Sequence, residues 1–324
     1  ALIALGSGGI KSCVSAHVGD QFCRANAHRM TEVFAWFYLA INLGAATSSL
    51  LTPWLLRISG PGLAFAVPGL LMALATAVFF AGRSKFAHIP PAGRKFLTDL
   101  VDPEGRQALL RLVPLFVFVA MFWSLFDQSG SAWVLQAEKM NRHFLGIHWE
   151  SAQIQAVNPV LILVLVPLFT RVLYPLVDRF WKFTPLRRIS VGMFVAAGSF
   201  WISAVIESLI QRGLTPTIGW QILAYLVLTS AEVLVSVTCL EFAYTQAPKR
   251  LKSLVMGMYL LSVSMGNAFT AAVNYVVKLY HLDAPGGIMA GPGYFWFFVI
   301  TMLITAGLFS VAASFYRGRD VLQD

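Results

Sequence analysis

Apolar residues in this chain run on for about 20 positions at a time, with no regular polar interruption at the helical or the strand period. Nine such runs fall at about 1–18, 31–55, 60–82, 108–136, 150–175, 185–212, 216–246, 251–281 and 292–318. Each is long enough to cross the hydrocarbon core of a bilayer as a helix. A large water-soluble α-domain would need a polar face on each helix, and these segments lack one. The pattern predicts an all-α, polytopic membrane helix bundle of about nine transmembrane helices.

The longest polar interruption, Arg83 to Arg111, contains Pro90-Pro91 and mixed charge, and it separates three runs from six. It reads as a link between two helical halves: 1–82 as a three-span remainder of the first, 83–107 as a cytoplasmic linker and 108–324 as a six-helix second half. No low-complexity tract interrupts this plan.

Composition agrees, with 57% hydrophobic and 12% charged residues. Charge placement adds topology. The links near 19–30, 83–111, 171–188 and 249–252, with the tail at Arg317 and Arg319, hold two, six, five, three and two basic residues, 18 of the 24. By the excess of Lys and Arg on cytoplasmic loops, these links and the C-terminus are expected inside, in a cell (inner or plasma) membrane. The net charge of +9 is then a topological bias and says nothing of nucleic acid. Nine crossings that end inside begin outside. The chain opens on ALIALGSGG with no Met, so the expectation is a piece of a longer protein whose upstream helices, odd in number, are its missing partners.

Three charges, Lys11, Asp127 and Glu232, lie deep inside stretches that otherwise read as membrane-spanning. Each costs roughly 2.5–3.5 kcal/mol at a helix centre on insertion scales, which marks a polar pathway by default. Gly6-Ser7-Gly8-Gly9-Ile10-Lys11 is no phosphate loop, since Gly and Lys are not adjacent and no strand precedes them. Its glycines suit close helix packing. Trp123 and Asp127 are four apart and share a helix face, while Trp133 is placed for an interfacial anchor. Pro159 removes a backbone donor and allows a kink, and Asn158 beside it can bond a ligand or that disturbed backbone. Asn42 either clamps a neighbouring helix or faces a cavity. Glu232 and Ser236 share a face. Glu241, near a span end, is expected to meet Lys249, Arg250 or Lys252 as a gate or end-of-helix pair. Ser262 and Gly266 read as small residues at a packing seam.

Other chemistry is thin. Cys13, Cys23 and Cys239 have no metal-like spacing. The six histidines lie mostly near span ends, with no paired His ligands, no H-E-x-x-H and no G-x-S-x-G. No enzyme, metal or cofactor is expected.

The strings GSGGIKSCVSAHVGDQF, FYLAINLGA, FWSLFDQSGSAW, QAVNP and EVLVSVTCLEFAYTQAP, in this order, resemble the proton-coupled oligopeptide transporter (POT/PTR) family of the major facilitator superfamily. The resemblance covers essentially the whole chain as that family's fourth to twelfth helices. It implies symport of di- and tripeptides with protons by alternating access, the proton being the coupling ion. It further implies that Lys11 and Asp127 pair as a gate that protonation of Asp127 releases. Glu232 would then receive the peptide α-ammonium, and Asn42 and Asn158 would contact its backbone or carboxylate end. Trp123, Tyr259 and Ser236 would line the site. Ser12 stands where the family usually has proline, Cys239 where it often has glycine and Tyr259 where Trp is common; these bear on substrate detail. The family's first three helices, with an E-x-x-E-R-type motif, have no counterpart here. The alternatives are a non-transporting remnant or scaffold, and a relative carrying another small solute such as nitrate. A deep acid at Glu232 argues against an anion as sole substrate.

Overall fold

A computed structural model of the protein describes residues 2–21, 30–87, 102–246 and 251–315. The chain forms two compact units, Ala1–Leu97 and Thr98–Asp324.

In the first unit, a 19-residue helix spans Leu2–Asp20, and continuous helical structure spans Met30–Gly82. The latter is two helices meeting at Gly60, whose φ of 73° and ψ of −175° are open to glycine at no Cβ cost. Pro61 then starts the second helix with a pre-set φ and no amide left unpaired. The runs expected at 31–55 and 60–82 are thus joined without a loop. His17 lies against the rings of Phe79 and Phe86, at 5.5 and 5.1 Å between centroids. The Gln21 side chain donates to the His17 carbonyl and accepts from the Ala87 amide. These contacts tie the end of the first helix to the end of the third.

The second unit is the better packed. Pro103–Phe126 gives way to a 3₁₀ turn at Asp127–Gly130 and a short helix, Ala132–Glu138. A two-stranded hairpin, His143–Phe144 with Ile147–His148, follows. The next span begins as a 3₁₀ turn, Ser151–Ala156, and continues through Val157–Leu168, a π-turn at Phe169–Leu173 and Tyr174–Asp178. Pro185–Gln211 is unbroken. Gly219–Glu232 passes through a π-turn at Val233–Val237 into Thr238–Gln246. Lys252–Leu279 and Pro292–Phe315 complete the unit.

Seven helices among the described residues are long and apolar enough to cross a membrane. One of them holds both helices that meet at Gly60. With Leu2–Asp20, whose Lys11 and glycines lower its hydropathy, they account for the nine runs. The helices are apolar on both sides. Along 151–178, Val160, Val164, Leu168, Val172 and Leu176 repeat every four residues and are each about half exposed, while Ile162, Leu165 and Phe169 are buried. Such an exposed stripe belongs against lipid.

Pro185–Gln211 is the hub, packed on Pro292–Phe315 and Gly219–Glu232, while Lys252–Leu279 packs on Pro103–Phe126. Close approach depends on glycine at two seams. A Cβ at Gly192 would lie 2.6 Å from Val235 Cγ2. One at Gly266 would strike the Ala120 carbonyl and lie 2.8 Å from the Ser124 amide nitrogen. Ser262 is fully buried on the same helix, so the small-residue seam expected at Ser262 and Gly266 is present.

Two local expectations are corrected. Trp133 is not an interfacial anchor. It is fully buried, edge-on to Tyr225 at 4.8 Å and beside Phe200 at 5.7 Å, because the break at Asp127–Gly130 resets the helix and turns Trp133 into the core. Pro159 does not kink a helix interior. It lies near the start of Val157–Leu168, so the donor it lacks falls where the α-helical ladder is only beginning, and the Gln155 carbonyl in the preceding 3₁₀ turn accepts from the Val157 amide instead.

Candidate functional site

Glu232 ends the regular part of Gly219–Glu232, one residue before the π-turn. A π-turn re-aims the following side chains within one helix, and such turns are frequent at functional sites. The Asn158 amide donates to both Thr229 Oγ1, at 3.1 Å, and Glu232 Oε2, at 2.7 Å. The Asn158 amide thus bridges two positions on the facing helix. Among the described residues no Lys, Arg or His pairs with Glu232, so its charge is met by neutral donors alone.

Asp127 caps the end of Pro103–Phe126, its own amide returning to the carbonyls of Leu125 and Trp123. Asn267 on Lys252–Leu279 donates to Asp127 Oδ2 at 2.5 Å. The two acids thus sit on two helices that each lose α-helical regularity beside them.

An aromatic wall adjoins them. Ser236, one turn past Glu232, shares a 2.7 Å hydrogen bond with the Tyr259 hydroxyl. The Tyr259 ring stands edge-on to Trp123 at 6.1 Å. The Trp123 indole N–H is buried and has no hydrogen-bond partner among the described residues. A buried donor left open in this way carries a desolvation penalty that a ligand or water would relieve.

Glu232, Asp127, Asn158, Ser236, Tyr259 and Trp123 thus lie on neighbouring elements of the second unit. Glu241 does not join them. Nine residues beyond Glu232, about 13 Å along a helix, it borders a separate cavity of about 340 Å³ with Thr170, Tyr174, Asp178, Arg188 and Thr238. Of its expected partners, Lys249 and Arg250 lie outside the described residues, as does the Lys252 side chain. Arg188 shares that cavity and stacks over Tyr174 at 4.1 Å. Lys11, exposed on Leu2–Asp20, and Asn42, buried in Met30–Gly82, belong to the first unit.

Three polar residues went unmarked in the sequence. Thr229 lies three before Glu232 and so on its face, which was a usable signal. Asn267 is an amide within a span, and its position next to Gly266 drew attention to packing instead. Glu207 is buried near the end of Pro185–Gln211, bonded to Gln136 Nε2 at 2.9 Å and Lys139 Nζ at 3.0 Å; its own run shows none of these partners.

The fold and site define a multi-pass, all-α membrane protein with two carboxylates on neighbouring elements of one helical unit. The family model described as PTR2, POT family, matches residues 1–102 and 98–288, and the chain belongs to the POT family. Solute carrier family 15 member 2 of Oryctolagus cuniculus is 36% identical, the match covering 74% of this chain and 38% of that protein. Solute carrier family 15 member 1 of Homo sapiens is 35% identical, over 66% of this chain and 36% of its own length. The chain therefore spans well under half the length of these curated relatives. A crystal structure described as an auto inhibited POT family peptide transporter superposes with a TM-score of 0.87 at 32% identity, covering 100% of this chain and 78% of the other. The POT family transporter PepTSo gives 0.86 at 33%, covering 97% and 77%.

Proposed function

We propose that the protein containing this chain carries di- and tripeptides across a cell membrane together with protons, by alternating access. The observation that carries this reading is Glu232. It is an acid within a membrane span, held by the Asn158 amide beside Thr229, with no basic side chain on it among the described residues. An acid so placed suits a solute that brings its own cation, and a peptide's α-ammonium is such a group. The Trp123 indole N–H and the Tyr259–Ser236 pair supply donors and an aromatic surface beside it. Asn158 serves the peptide's backbone or carboxylate end. Relatives named as peptide transporters support the substrate class.

In this reading Asp127 takes the proton. Ionised, it holds Asn267. Protonated, it loses that attraction and frees the ends of two helices that are already broken beside it. No enzyme activity or cofactor enters, and the distribution of basic residues supports a cytoplasmic C-terminus in the plasma or inner membrane. Transport of nitrate or another anion fits poorly, because two acids would repel it.

Binding of a free dipeptide and of its N-acetylated form tests the reading in wild type and Glu232→Gln. Glu232→Gln is expected to weaken the free-amine peptide roughly ten- to hundredfold, as for loss of a hydrogen bond to a charged group, and to leave the blocked peptide nearly unchanged. Equal losses for both would remove Glu232 from ammonium recognition.

A further inference from the structure

The hairpin after Ala132–Glu138 turns through Leu145 (φ 54°) and Gly146 (φ 75°). Positive φ at both central residues is the signature of the tight two-residue turn that matches strand twist. The register sets Phe144 opposite Ile147 and His143 opposite His148, and the Trp149 amide bonds the Arg142 carbonyl at 3.1 Å. His143 and His148 are therefore a cross-strand pair flanked by hydrogen-bonded ones, the position where opposed side chains come closest. Both are exposed. His148 Nδ1 and His143 Nε2 are 3.1 Å apart, with ring centroids at 4.5 Å. The sequence shows no paired histidine ligands because the pairing is made by the register, five residues apart.

We propose that His143 and His148 form a two-imidazole site for a divalent transition-metal ion of the zinc, copper or nickel class. Imidazole nitrogens bind such ions at about 2.0–2.1 Å. Two bonds of that length to atoms 3.1 Å apart enclose an angle of about 98°, between the square-planar and tetrahedral values. Among the described residues no third His, Cys, Asp or Glu converges on the pair, so water completes the coordination and the site stays open. Arg142 alternates to the other strand face and is engaged by Glu150 at 3.6 Å and Ser151 at 3.3 Å.

The hairpin is not a loose appendage. The Phe144 ring covers Gly219, where a Cβ would lie 2.8 Å from Phe144 Cε2. Asn141 exchanges backbone hydrogen bonds with Pro216 and Ile218 at 3.0 and 2.9 Å. Gly219 starts the helix that ends at Glu232. A metal ion clasping the two strands would stiffen the support of that helix from outside the bundle, whatever the transported solute.

Titration of the purified, full-length protein with Ni²⁺ and with Zn²⁺ tests the site, using wild type, His143→Ala, His148→Ala and, as a control, His281→Ala. One equivalent is expected to bind to wild type and to His281→Ala, and each of the other two variants is expected to lose at least tenfold in affinity. Cu²⁺ bound to wild type should show coupling to two nitrogens in its electron paramagnetic resonance spectrum. Undiminished binding in the two hairpin variants, coupling to a single nitrogen, or no binding to wild type would each overturn the proposal.

Discussion

Glu232 is an acid in a setting where a charge is costly, and the residues around it show how that cost is offset. Asn158 Nδ2 reaches Glu232 Oε2 at 2.7 Å while also touching Thr229, so the carboxylate keeps a neutral donor and, among the described residues, meets no fixed cation. That leaves its charge available. The two residues act as a unit, and their substitutions should not add. In a double-mutant cycle on dipeptide binding, Asn158→Ala and Glu232→Gln are expected to show a coupling of about 1–3 kcal/mol. Simple additivity would mean that Asn158 serves only the helix packing. Residues of this kind differ in how visible they are in a sequence. An isolated Glu or Asp in an apolar run stands out because ionised groups are rare there. Asn267, which holds Asp127 at 2.5 Å, does not stand out, since a neutral amide in a span has many uses and its partner is on another helix.

At the level of elements, the informative feature is where helices stop being regular. Pro103–Phe126 breaks at Asp127, and Gly219–Glu232 turns into a π-turn directly after its acid. Close helix approach lies beside both: Lys252–Leu279 at Gly266 meets the last regular turns before the first break, and Pro185–Gln211 at Gly192 meets the π-turn itself. Gly266→Val is expected to destabilise the second unit by about 1–3 kcal/mol through overpacking, read as a lower thermal midpoint in detergent. An unchanged midpoint would contradict the seam at Ala120 and Ser124. The nine apolar runs were legible because burial in lipid demands about 20 apolar residues whatever the neighbours do. The breaks were not, because the register after Asp127 is set by what Trp133 meets on two other helices. For the same reason Trp133 is buried where its position in the run suggests an interfacial anchor, whereas the joint at Gly60 rests on the local backbone of one glycine.

For the whole molecule, membership of the POT family and a TM-score of 0.87 to a transporter at 32% identity fix the architecture. Function rests on the proposal that the acids of the second unit couple a peptide to a proton. The sequence pointed to those acids through the cost of charge in a bilayer, and to the peptide through resemblance. Hydropathy alone carries no information on what solute they meet. The most direct measurement is accumulation of a dipeptide by liposomes containing the full-length protein, driven by an inside-alkaline pH gradient, for wild type and Asp127→Asn. The account predicts uphill accumulation by wild type, and for Asp127→Asn loss of accumulation with peptide exchange at equal pH retained. Undiminished proton-driven accumulation by Asp127→Asn would contradict it.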